Sequence, residues 1–291
     1  MINMPKYYIG VDVGATKIKA VLVTSTLIVK KRIVFLTEAN KGLNVVKSNM
    51  INAIKEVWDK NIVSIGVGFP APVDLEKGVI KSSRTLPGFV NVNLKNILEK
   101  EFSVKTFVNN DANCFTLAES KLIDKSDKKS IVGVLIGNRL GSGISIKGEL
   151  YTGSTCSAGE IGIIPFKGIN LEEFAAGSAL KRLSTYQGLT MSPVKLAEMA
   201  KKNKGFAKNV FKEYGVNLGT ALSVLANTFD PDVIVLGGSV SKSFQYFKST
   251  MNETLKKNVS SVAAKNIKVV KSKDADSAAL GAAMYAISRT K

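Results

Sequence analysis

Two apolar runs of the same shape open the two halves of this chain. Gly10-Val-Asp-Val-Gly14 overlaps the run Tyr7–Val13, and Gly133-Val-Leu-Ile-Gly137 lies in the run that starts at Ile131. Each stops at a polar, glycine-containing turn and resumes as a second apolar run, Ile18–Val23 in the first case and Ile144–Ile146 in the second. A β-rich run halted by glycine and resumed after a few polar residues reads as strand–turn–strand. In the first half, Ile28–Leu36 adds a third strand, and Val46, Met50, Ile54 and Val57 space a helix over Leu43–Trp58. A strand over Ile62–Phe69, a helix over Leu94–Phe102, a strand at Thr106–Val108 and a helix from about Asn113 follow. The second half reads as a helix over Val216–Phe229, a strand at Val233–Leu236, a helix opening near Ser241 and running over Phe244–Lys257, a strand at Ile267–Val270 and a small-residue helix over Ala278–Ser288. The shared opening and alternation predict an internal duplication: an α/β fold of two lobes with a ligand cleft between them. We place one lobe at 1–115, with a C-terminal helix at 278–291 packing back on it, and the other at 116–277.

Composition removes several function classes. A chain of 291 residues, 45% hydrophobic, has the bulk and apolar content for two packed lobes and is no disordered polymer. Its apolar stretches fall short of the roughly 20 residues of a membrane helix, and Lys6 and Asp12 interrupt the one candidate leader, so no membrane association or secretion is expected. Two cysteines, Cys114 and Cys156, make no disulfide framework, which suits a reducing, cytoplasmic setting. Histidine is absent, which excludes Ser-His-Asp and Cys-His schemes and leaves acid–base work to carboxylates, lysine or tyrosine. The net charge of +18 comes from lysines scattered in short runs without interleaved aromatic residues, and no helix-turn-helix precedes the first strand. That pattern is a solvated surface, and no nucleic-acid partner is expected.

Four segments carry candidate chemistry. Asp12-Val-Gly-Ala-Thr-Lys17 puts a carboxylate, a permissive glycine, a hydroxyl and an ammonium in one turn. Gly14 admits a phosphate, Thr16 and Lys17 donate to it, and Asp12 can hold a hydrated Mg²⁺. Gly137-Asn-Arg-Leu-Gly141-Ser-Gly143 is a second turn with more glycine than a plain hairpin requires, so the two together read as a phosphate clamp made of Gly137, Asn138, Arg139 and Gly141 facing Gly14, Thr16 and Lys17. Gly237-Gly238 ends a buried strand with bare backbone on which an adenine or ribose can lie. Asn109-Asn-Asp-Ala-Asn113 follows a strand with more polar groups than a helix cap needs, and Asp111 there can act as general base toward a hydroxyl. Glu160 and Glu172 supply further carboxylates of the kind that accept hydrogen bonds from sugar hydroxyls, or else stand as solvated charges.

In order along the chain, these segments resemble the ROK family (repressors, open reading frames and kinases) of sugar kinases. Gly66-Val-Gly-Phe-Pro-Ala-Pro-Val-Asp74, Leu86-Pro-Gly88, Gly159-Glu-Ile-Gly162, Leu171–Gly177, Asp230–Gly238 and Leu280-Gly-Ala-Ala283 carry the same resemblance. It implies two ribonuclease H-like lobes of the actin-like ATPase type and Mg²⁺-dependent transfer of the ATP γ-phosphate to a hexose or amino-sugar hydroxyl, usually the 6-hydroxyl. It further implies Asp111 as base, Asn110, Glu160 and Glu172 on the sugar, and a homodimer. Ala71 and Thr85 stand where a glycine and an asparagine commonly face the sugar, and Asn138-Arg139 replaces a Thr-Gly pair, so that Arg139 either reaches a phosphate as a cation or obstructs the turn. Ile163 and Lys167-Gly-Ile-Asn170 replace the histidine and cysteines that bind zinc, so no zinc is expected. A sugar-binding regulator without catalysis is the alternative, and family repressors carry an N-terminal DNA-binding domain of which no sign precedes the first strand.

Overall fold

The computed structural model describes residues 5–290. The chain begins with β1 (Tyr7–Val13), β2 (Lys17–Thr24), β3 (Val29–Leu36), α1 (Leu43–Glu56) and β4 (Ile62–Phe69). Three short strands, β5 (Val73–Asp74), β6 (Val79–Ser82) and β7 (Val90–Asn93), lead into α2 (Leu94–Phe102), β8 (Lys105–Asn110) and α3 (Asp111–Ile123). Next come β9 (Ile131–Ile136), β10 (Leu140–Ile146), β11 (Glu149–Tyr151), β12 (Pro165–Phe166), β13 (Ile169–Asn170) and the helices α4 (Leu171–Ala175), α5 (Gly177–Tyr186), α6 (Pro193–Lys201) and α7 (Gly205–Phe229). β14 (Val233–Gly237), α8 (Phe244–Asn258), α9 (Ser261–Asn266), β15 (Lys268–Lys271) and α10 (Ser277–Thr290) complete it.

Two five-stranded sheets share one plan, β3-β2-β1-β4-β8 and β11-β10-β9-β14-β15. In the first, β1 runs antiparallel to β2 and parallel to β4, and β4 runs parallel to β8. In the second, β9, β14 and β15 are parallel, and β10 and β11 form the antiparallel side. The same strand order with the same directions is the duplication that the paired Gly-Val runs predict.

The chain divides into two compact units: one comprises residues up to Asp127, Gly143–Ala158 and the stretch from Asp274 on; the other comprises Lys128–Ser142 and Gly159–Lys273. α3 crosses the expected 115/116 boundary unbroken. In the first unit, α10 lies on β1, β4 and α3. Gly10 and Gly66 face each other across the β1–β4 pair, and a Cβ on either would strike the α10 backbone at Ala279 or Ala282. Close approach is therefore why the sheet carries glycine there and the helix carries alanine. The core beneath α1 and α2 is aliphatic and aromatic, with Met50, Ile54, Phe69, Phe89 and Leu98 fully buried.

Two helix starts differ from the sequence expectation. α3 begins at Asp111, two residues before Asn113, because Asn110 caps it: its Oδ1 accepts from the backbone N–H of Ala112 and Asn113. α7 begins at Gly205, not Val216. Gly215, just before the expected start, lowers helix propensity there, while Gly215 and Gly219 together let α8 pack against the helix at Phe247 and Met251. Between Gly238 and α8 the chain makes a 3-10 turn, Val240–Ser243, before the helix proper.

Candidate active site

Parallel strands bring their carboxyl ends to one edge of a sheet, where α/β proteins bind ligands. In the first unit, the register aligns Asp12 with Gly68, Gly68 with Asn109 and Phe69 with Asn110. Asp12, the Ala71 loop, Asn110 and Asp111 thus gather at one edge. Asn110 caps α3 through Oδ1 and donates from Nδ2 to the Ala71 carbonyl at 3.3 Å. Asp111 takes the first helical position, where the helix dipole favours a carboxylate, and its Oδ1 accepts from the Ala112 N–H at 2.9 Å.

Behind Asp111 lies a buried amide cluster. Asn109 Oδ1 accepts from the Asn110 backbone N–H at 2.8 Å and from Asn113 Nδ2 at 3.1 Å, and the Cys156 thiol lies 3.5 Å from both side chains. The cluster ties the segment that precedes Glu160 to the strand end that carries Asp111. Both cysteines are free and buried, and burial pushes the Cys114 thiol well above its usual range. Ser83, which the sequence analysis passed over, joins the two remaining candidates: its hydroxyl donates to the Pro70 carbonyl at 2.9 Å and accepts from the N–H of Thr85 and Leu86. Ala71 itself is buried.

The first glycine-containing turn is closed by Gly14 N–H donating to the Lys17 carbonyl at 2.9 Å. Buried Thr37 braces it from β3's far end, with Oγ1 donating to the Gly14 carbonyl at 2.7 Å and its N–H to the Thr16 carbonyl at 2.9 Å. Thr37 was legible only as another polar residue after a strand. Thr16 and Lys17 are exposed at the tip. Asp12 sits one pleat below, and burial raises its carboxyl from 3.8 to about 6, opposed by the Lys19 ammonium and reinforced by the Asp276 carboxylate. Among the described residues no three His, Cys, Asp or Glu side chains converge on a metal position. Magnesium needs no such cage, because a carboxylate, substrate phosphates and water suffice.

In the second unit, hydrogen bonds tie the other turn to the residue before Glu160, to α5 and to Glu172. Ser142 donates to the Gly159 carbonyl through its N–H at 3.2 Å and its hydroxyl at 2.6 Å, fixing the residue before Glu160. Gly177 N–H donates to the Gly137 carbonyl at 2.8 Å, linking α5 to the turn. In α4 the neighbouring acids divide: Glu173 is exposed and accepts from the Asn170 N–H at 3.4 Å, whereas Glu172 is buried. Glu172 Oε2 packs against Gly162, and its Oε1 accepts from Arg139 Nη1 at 2.7 Å. Arg139, expected at a phosphate, is therefore paired to a glutamate expected at the sugar, while Asn138 is exposed. Gly237 ends β14, and Gly238 has a φ of 84°, a conformation natural to glycine, with its carbonyl bonded to the Ser241 hydroxyl at 2.8 Å.

Ile163 is 49% exposed, and Lys167-Gly168 turns the β12–β13 hairpin with both φ positive, as a two-residue hairpin turn requires. Residues 159–177 contain neither a thiol nor an imidazole, so the segment offers no zinc ligand set. Phe166 against Phe174, with ring centroids 4.8 Å apart, packs the hairpin onto α4.

The ROK family model matches residues 8–289. A glucokinase of Halalkalibacterium halodurans is 27% identical over 271 residues, covering 82% of this chain and 82% of the relative. A xylose repressor of Caldicellulosiruptor bescii is 25% identical over 305 residues, covering 93% of this chain and 75% of the relative. In fold, the chain is similar to a ROK family glucokinase from Streptomyces griseus solved with glucose and AMPPNP, with a TM-score of 0.84, 22% identity, and coverage of 96% and 99%.

Proposed function

The chain belongs to the ROK family, and on that premise we propose that it is an ATP- and Mg²⁺-dependent sugar kinase acting on a hexose or amino-sugar hydroxyl, usually the 6-hydroxyl. One observation carries the reading. Asp111 stands at the carboxyl end of a parallel strand, fixed at a capped helix start and backed by a buried amide cluster. A carboxylate held so firmly is suited to accept a hydroxyl proton as the oxygen attacks phosphorus.

The other residues take supporting roles. Asn110, Glu160 and Glu172 receive the sugar, with the Ala71 and Thr85 loops shaping its surroundings. Gly14, Thr16 and Lys17 on one turn, and Gly137, Asn138 and Gly141 on the other, hold phosphate oxygens through backbone and side-chain donors. Gly237-Gly238 faces the nucleoside. Asp12 holds magnesium through water; when bound, Mg²⁺-ATP supplies the phosphoryl group and offsets its charge. A cytoplasmic setting fits this substrate pair, and no described helix is long and apolar enough to cross a membrane.

The glucokinase relative, matched over most of its length, supports the kinase reading. The xylose repressor and the occupation of Glu172 by Arg139 favour a second reading, a sugar-responsive regulator. ADP release measured across a hexose and amino-sugar panel, beside a DNA-retention assay, separates the two. Sugar-dependent ADP release without DNA retention supports the kinase; DNA retention without ADP release favours the regulator.

A further inference from the structure

We infer that Arg139 is a latch on the sugar-gripping carboxylate, released when the phosphate turn takes up nucleotide; the inference rests on the kinase reading above. Arg139 belongs by backbone to the Gly137–Gly143 turn, yet its guanidinium lies on Glu172 at 2.7 Å. The two partners differ in freedom. The Glu172 side chain is 10% exposed, set by the start of α4 and packed on Gly162, whereas the Arg139 side chain is 40% exposed and long enough to swing. Glu173 cannot substitute, being exposed and turned to the Asn170 N–H.

While the pair is closed, Glu172 spends an oxygen on a cation and is a poorer acceptor for a sugar hydroxyl. A nucleotide polyphosphate carries more charge than one carboxylate and suits the bidentate donors of a guanidinium. Bound at the turn, it draws Arg139 off Glu172 and returns the Oε1 acceptor to the sugar subsite. Linkage then makes the coupling reciprocal: nucleotide tightens sugar binding, and sugar tightens nucleotide binding, by the same factor.

Calorimetric titration of D-glucose, D-xylose and N-acetyl-D-glucosamine into wild type, R139T and E172Q, each with and without AMPPNP, tests this. For a sugar that binds, the wild-type Kd should tighten about tenfold with the analogue present. R139T should bind that sugar tightly without the analogue and gain nothing from it. E172Q should bind it weakly in both states. A wild-type sugar affinity indifferent to AMPPNP, or an R139T variant that keeps the wild-type response, overturns the latch and leaves the kinase reading standing. If no variant binds any sugar or the analogue, both fall together.

Discussion

Arg139 Nη1 lies 2.7 Å from Glu172 Oε1, joining the second glycine-rich turn to the first helical turn of α4 across 33 residues of sequence. Glu172 is buried and Arg139 half-buried, so the pair lies between an exposed ion pair of small value and a buried one that is costly to break. R139A should lower unfolding free energy by about 1–2 kcal/mol, and E172Q in the same background should recover part of the loss. Urea denaturation of the two single variants and the double variant measures the coupling. Additive effects would mean that the contact has no energetic content.

Asp111 is half-buried at a helix start whose cap, Asn110, is a separate residue. Asp111→Asn keeps the size and the acceptor toward Ala112 but removes the carboxylate that would take the proton. Turnover should fall roughly 10²–10⁴-fold, with the melting temperature nearly unchanged. Steady-state kinetics beside thermal unfolding provides the check.

Burial holds the Asp12 carboxyl up at about 6, against an ordinary value of 3.8. A raised acid means that the folded state penalises the ionised form. The penalty is fully present above pH 6, shrinks as pH falls from 6 toward 4, and is absent below the unfolded value. Asp12→Asn should therefore stabilise the fold by about 1–3 kcal/mol at pH 7.5, and the difference should vanish near pH 3.5. The same substitution should abolish Mg²⁺-dependent nucleotide binding. Melting curves across that pH range test the sign.

Gly66 leaves room only for the α10 backbone at Ala282. Gly66→Ala must lift the helix from the sheet and should cost about 1–3 kcal/mol or more, as overpacking does. Gly137 has open space around a Cβ at its position, so Gly137→Ala should be far milder in stability. Comparing the two by denaturation distinguishes close packing from a general intolerance of alanine.

Much of the fold was legible because its strands are continuous apolar runs: Tyr7–Val13 and Ile62–Phe69 have the bounds that the sequence suggests. The small sheet of β5, β6 and β7 was not, since strands of two to four residues with polar alternation give no periodic signal. The first half of α7 was hidden behind Gly215, which makes room for α8. At the site, residue types and order were readable, whereas pairings were not. Nothing local says that Arg139 meets Glu172, that Thr37 braces the first turn, or that Ser83 joins the Ala71 and Thr85 loops; these bonds exist only once distant segments have packed.

Phosphorus NMR of the purified protein with Mg²⁺-ATP and each sugar in turn addresses the kinase assignment most directly. A new phosphomonoester resonance, coupled to a sugar carbon, should grow as the γ-phosphate signal of ATP falls and should be lost in D111N. Release of inorganic phosphate alone, or ATP left unchanged with every hexose and amino sugar offered, would contradict the kinase assignment.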